Sequence, residues 1–190
     1  MFLVRCVTRC DEPMAFPSSL RSAVRDAVAS VTIGEWLPPS HAFLVNVDGE
    51  ALHIPYRLYY DADLLRRELG KSQATAKLIL LCLGTRHYDG YLRQECLREL
   101  LKDDSRWLTP YLLQLAGEYV IEIVKDVANT IAEQNPALLR EFALENPLYL
   151  ATLERRVTSY WSCYHRQAYP DRSCYPGTTI LAAVRAATVV

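Results

Sequence analysis

Arg86, His87, Asp89 and Arg93 lie within eight consecutive positions, most of them in the run Thr85-Arg86-His87-Tyr88-Asp89-Gly90. A histidine beside a carboxylate and a cation can act as a general base, and arginines near a helix N-terminus can hold a phosphate. These four residues are therefore the candidate catalytic groups, joined by Tyr56 and Arg57 from an earlier segment. The same residue types also have a structural use. Asp89 caps the next helix, Gly90 gives room, and Arg86 pairs with a carboxylate. No glycine-rich phosphate loop, HExxH or GxSxG sequence accompanies the corner, so the structural use is the expectation. Under it Asp89 supplies a cap, tied to Arg93, while His87 adds little to stability.

The elements around this corner follow from hydrophobic spacing. Leu78 to Leu83 is apolar on every side, which predicts a buried helix beginning near Ser72, and the amphipathic pattern after Asp89 predicts an antiparallel partner. Upstream, Leu20, Val24, Ala27, Val28 and Val31 recur at helical spacing behind a serine cap. His41 to Val47 and Glu50 to Tyr56 flank Asp48-Gly49, the signature of a two-residue hairpin turn. Phe43, Val45 and Val47 should share its buried face. A lone hairpin is marginal, so it needs helices behind it or a third strand, for which Met1 to Val7 is the near candidate. Asp61 caps a helix over Ala62 to Leu69. Downstream, Thr109-Pro110 opens one long central helix from Tyr111 to about Glu133, Pro136 and Pro147 start two more, and Thr178 to Val190 fits either a helix or a strand.

Asp89, Leu92, Arg93, Cys96 and Leu100 fall at positions that resemble the second helix of a HEAT-type repeat. That resemblance, confined to Asp89 to Leu100, implies that the aspartate and arginine tie neighbouring helices and that the small residue permits close packing. No second copy follows at a fixed period, and stacked repeats need several. The fold class is thus mostly α: a compact antiparallel helical bundle or a short HEAT-like array with a small N-terminal β-hairpin. Residues 1–190 form a single domain, with 1–60 as a strand, helix and hairpin subregion and 61–190 as the helical body.

Other clusters carry residue types suited to chemistry. Cys163, His165 and Cys174 are weak candidates for a metal site, needing a fourth ligand from Cys6, Cys10 or His41, and their spacing is not a familiar zinc signature, so no metal and no cofactor is expected. Cys82 and Cys96 read as core residues. Glu118 and Glu122, one turn apart, read as part of a solvated helix face. The twelve tyrosines exceed what a core usually takes, because each buried hydroxyl needs a partner. Tyr56, Arg57, Tyr88 and Tyr91 are the candidate binding residues, since tyrosine and arginine are what interfaces select.

The chain's 190 residues are 51% hydrophobic and nearly balanced in charge, 21 basic against 22 acidic. That balance predicts no general nucleic-acid binding. With no signal-like N-terminus and no stretch near the ~20 apolar residues needed to span a bilayer, no membrane association is expected and the location is cytoplasmic. The expectation for function is a protein-interaction module of adaptor or scaffold type, binding a protein partner or its own copy. The alternative is a small hydrolytic or phosphate-directed enzyme built on the Arg86-His87-Asp89-Arg93 corner.

Overall fold

Local signals place most of the helices where the spacing predicts them. The computed structural model describes residues 11–32, 41–103, 105–131 and 135–189. Short 3-10 turns at Glu12–Ala15 and Ser18–Leu20 lead into α1 (Arg21–Val31), then the hairpin β1 (Ala42–Val47) and β2 (Glu50–Pro55). Next come α2 (Ala62–Lys71), α3 (Ala74–Gly84) and α4 (Gly90–Leu100). The remainder is α5 (Thr109–Gln114), α6 (Ile121–Ile131), α7 (Pro136–Glu145), α8 (Pro147–Tyr160) and α9 (Pro176–Val189). The fold is mostly α with a two-stranded antiparallel sheet. The segment at Thr178 is helical. Among the described residues, no helix is long and apolar enough to cross a membrane.

The hairpin turns as its dipeptide demands: Asp48 and Gly49 have φ of 52° and 78°, and Val47 faces Glu50. Phe43, Val45, Val47, Leu52 and Ile54 are buried while Leu44 and Asn46 face out. The proposed third strand, Met1 to Val7, lies outside the described residues. On the β1 edge a side chain meets the backbone. Asn46 N donates to Asn146 Oδ1 at 2.7 Å, and Asn146 Nδ2 donates to Asn46 O at 2.8 Å and to Phe142 O at 2.9 Å. One buried amide between α7 and α8 therefore takes the place of a strand's pairing groups at that position.

A single core runs from Ala15 to Ala187. Within it α3 packs on α1, α2 and α4, α4 meets α6, and α9 lies against α6, α7 and α8. Lys77, early in α3, pairs with Glu99, late in α4, whereas Gly84 at the end of α3 packs on Cys96. The two helices are therefore antiparallel, as the spacing predicts. They approach so closely that a Cβ at Gly84 would collide with the Cys96 sulfur and sit 3.1 Å from its Cβ.

The expected long helix from Tyr111 is broken. After α5 a 3-10 turn spans Leu115–Gly117, Glu118 is extended at φ −97° and ψ 155°, and helix resumes at Ile121. The cause is Glu118 itself, whose carboxylate is buried against arginines from two other segments. Those ion pairs set the backbone there, against the helical spacing of its neighbours.

Gly84→Ala should cost about 1–3 kcal/mol through overpacking. Because the collision is with one sulfur, adding Cys96→Ala should recover much of that loss. Denaturant melts of the two single variants and the double variant check this, strict additivity being the contrary outcome.

Candidate functional site

Helix α3 stops at Gly84, and Thr85 Oγ1 closes the turn by donating to Cys82 O at 2.6 Å. Asp89 then caps α4, accepting from Tyr91 N at 2.8 Å and from Leu92 N at 3.5 Å. Between these ends the corner is strapped to the chain leaving the hairpin. Leu58 N donates to Arg86 O at 2.8 Å and Tyr88 N donates to Leu58 O at 2.9 Å, forming an isolated parallel bridge.

His87 is fully buried in this strap. Its Nε2 donates to Tyr60 O at 2.8 Å and its Nδ1 accepts from Asp89 N at 3.1 Å, the pattern of a neutral imidazole. Burial lowers its pKa below the ordinary 6.5, which keeps it neutral. A general base needs a free lone pair aimed at substrate, and here both nitrogens serve the backbone. The expectation that His87 contributes little to stability is therefore corrected: it is a latch between the hairpin exit and the cap of α4.

The arginines converge on Glu118, only 2% exposed. Arg57 Nη2 lies 2.9 Å from Glu118 Oε2 while its Nη1 donates to Tyr56 O at 2.8 Å. Arg93 Nη1 donates to His87 O at 2.8 Å and Tyr88 O at 2.9 Å, and its Nη2 stands 3.5 Å from Glu118 Oε2. The expected tie from Arg93 to Asp89 is thus replaced by ties to the corner carbonyls and Glu118. Arg86 is also fully buried, with Nε 3.4 Å from Thr85 Oγ1 and no hydrogen-bond partner for Nη1 or Nη2 among the described residues. Among the described residues it does not make the carboxylate pair expected from the sequence. Burial pulls its pKa down to about 10, opposed by the attraction of Glu118, so it stays charged at neutral pH. Beside this group the Arg156 guanidinium lies over the rings of Tyr56 and Tyr160, at 5.2 and 5.6 Å.

The structure therefore brings together Arg57, Arg86 and Arg93 and places Tyr56 next to them. It separates Asp89, spent as a cap, and turns Tyr88 and Tyr91 outward. Sequence reasoning missed Glu118, assigning it to a solvated face with Glu122; only Glu122 is exposed. The available signal was a carboxylate inside Tyr111 to Ile121, where Gln114 is the only other side chain that is neither apolar nor aromatic. Arg156 carried no signal. The weak metal candidates do not assemble either. Cys163 and Cys174 are exposed, His165 Nε2 sits 3.1 Å from Tyr119 O with its ring stacked on Tyr175, and no metal-ligating group of three occurs among the described residues. Cys6 and Cys10 lie outside them.

Fold and site together define a mostly helical protein whose centre is a buried arginine–glutamate cluster. The chain matches no protein-family model, and no curated protein or solved structure is significantly similar to it.

Glu118→Gln should destabilise by about 3–5 kcal/mol, because it leaves buried guanidinium groups without their anion. His87→Ala should cost about 2–4 kcal/mol, at least as much as Asp89→Ala, because it strands a carbonyl and an amide. The lowered pKa fixes the sign of the pH effect. The folded state holds His87 neutral, so its contribution is complete above the unfolded value of 6.5 and fades as pH falls below it. The gap in melting temperature between wild type and His87→Ala should therefore narrow from pH 7.5 to pH 5.5, roughly one unit on either side of that value. A constant gap would contradict this.

Proposed function

We propose that this chain is a cytoplasmic protein-interaction module, an adaptor or scaffold whose recognition surface is the tyrosine-rich outside of the α3–α4 corner. One observation carries the reading: Tyr88 and Tyr91 are 56% and 81% exposed on a corner whose Arg86, His87 and Arg93 are all turned inward. Tyr59 extends this surface by stacking on Tyr88, with ring centroids 5.7 Å apart and planes at 23°. Large aromatic rings held at a rigid corner bury much area on binding at small entropic cost, which is how interface anchors work. The antiparallel α3–α4 pair, with its capping aspartate, buried arginine and close Gly84–Cys96 contact, suits a HEAT-like helical unit as the frame for that surface. The enzymatic alternative has less support, since His87 has no ring nitrogen free for a substrate.

The test is Tyr88→Ala with Tyr91→Ala. Both side chains are exposed, so the melting temperature should hold, while affinity for the bound protein, or for a second copy of the chain, should fall by roughly 30-fold or more if they are anchors. Sedimentation reads self-association, and quantitative affinity capture with wild type and variant side by side reads a partner. Identical sedimentation together with identical captured proteins would remove the tyrosine surface from the function.

A further inference from the structure

Helices α8 and α9 lie side by side and antiparallel. Gly177, at the start of α9, packs on Val157 late in α8, while Thr188 near the end of α9 shares a groove with Pro147 at the start of α8. That groove has a volume of about 280 Å³, and Leu150, Ala151, Leu181 and Val184 line it. The surface beside it is apolar as well. Leu148, next to Pro147, is 85% exposed, and Leu144 at the end of α7 is 62% exposed. Helix α9 carries one charged side chain in its 14 residues, Arg185, and its outer positions Ala182 and Ala186 face out. A helix so apolar is ordinarily covered on most sides, yet α6, α7 and α8 cover only its inner ones.

Shape and charge both suit a second copy of this chain. One face offers a projecting leucine and, beside it, an apolar groove, so a two-fold axis between them lets each copy's Leu148 enter the other's groove. The only charged residues lining the groove, Glu154 and Arg185, have opposite signs and pair with each other. Turning the face onto itself therefore creates no excess of like charge, and each of the two can meet its opposite on the other copy. A strongly charged partner would find no answering charge in the groove. Arg155, two turns along α8 from Leu148, donates to Thr152 Oγ1 at 3.0 Å and supplies a polar edge. Two 14-residue helices give a face about 21 Å long and about 20 Å across. That is small for a specific interface, which makes the contact reversible and not obligate.

We propose that the α8–α9 face is a self-association site, on which two copies of this chain pack as an isologous dimer with Leu148 of each in the groove of the other. The face lies on different helices from the Tyr88 and Tyr91 surface and does not depend on that reading.

The experiment is sedimentation equilibrium of the full chain over a range of concentrations. The average mass should climb from 21.6 kDa toward twice that value, with a dissociation constant of roughly 1–100 μM. Leu148→Glu removes the projecting leucine and Ala151→Arg fills the groove; both positions are exposed, so dilute samples should melt like wild type. Each variant alone should weaken the dimer by about 30-fold or more. An equimolar mixture of the two should associate more tightly than either alone, because one of its two contacts is intact and the other sets the introduced carboxylate against the introduced guanidinium. The Tyr88→Ala, Tyr91→Ala protein should dimerise as wild type does. A wild-type chain that stays at 21.6 kDa up to roughly 500 μM would overturn the site, as would a dimer that both α8 variants leave intact or a mixture no tighter than its components. Dimerisation lost in the tyrosine variant and kept in the α8 variants would move self-association to the tyrosine surface.

Discussion

The Glu118 carboxylate is the constraint on which the centre of this protein depends. It joins Arg57 after the hairpin to Arg93 in α4, and it does so by leaving helical geometry between α5 and α6. A buried ion pair adds little net stability over a well-packed apolar substitute, because desolvation consumes most of the Coulomb gain. Its effect is on specificity. A hydrophobic contact at this position would tolerate sliding, whereas a carboxylate between two guanidinium groups accepts one arrangement of three chain segments.

The corner above it works by the same logic with backbone groups. Leu58 bridges to Arg86 and Tyr88, the His87 ring spans from Tyr60 to Asp89, and Arg93 returns to the carbonyls of His87 and Tyr88. Each bond satisfies a group that the end of α3 or the start of α4 would otherwise leave buried and unpaired. The residues that look most chemical in the sequence are thus largely consumed in closing a helix-to-helix turn. What remains facing solvent at this corner is the tyrosine exterior.

Elsewhere the packing relies on small, specific substitutions for regular structure. Asn146 offers the hairpin edge an amide in place of a neighbouring strand, and Arg106 ties the hairpin turn at Asp48 to Glu141 in α7. Gly84 lets α3 settle onto Cys96, whose thiol burial pushes up to a pKa of about 12, so that it behaves as an apolar core atom. These contacts explain how a two-stranded sheet, marginal alone, persists on a helical body.

Much of this architecture is legible in the amino-acid sequence, because the physics behind it is local. Apolar spacing placed the helices, Asp61 and Asp89 marked two caps, Asp48-Gly49 required a hairpin turn, and the alternation of Phe43, Val45 and Val47 chose its buried face. Cys82 and Cys96 read correctly as core for the same reason. The break at Glu118, the burial of Arg86, the double engagement of His87 and the role of Asn146 depend on partners 25 to 100 positions away in sequence or on charges brought close only by packing. A helical pattern says which face of a helix is apolar. Whether a charged residue beside that face meets water or two arginines is settled only when the other segments arrive, because the energy of a buried charge belongs to its surroundings and not to its place in the chain.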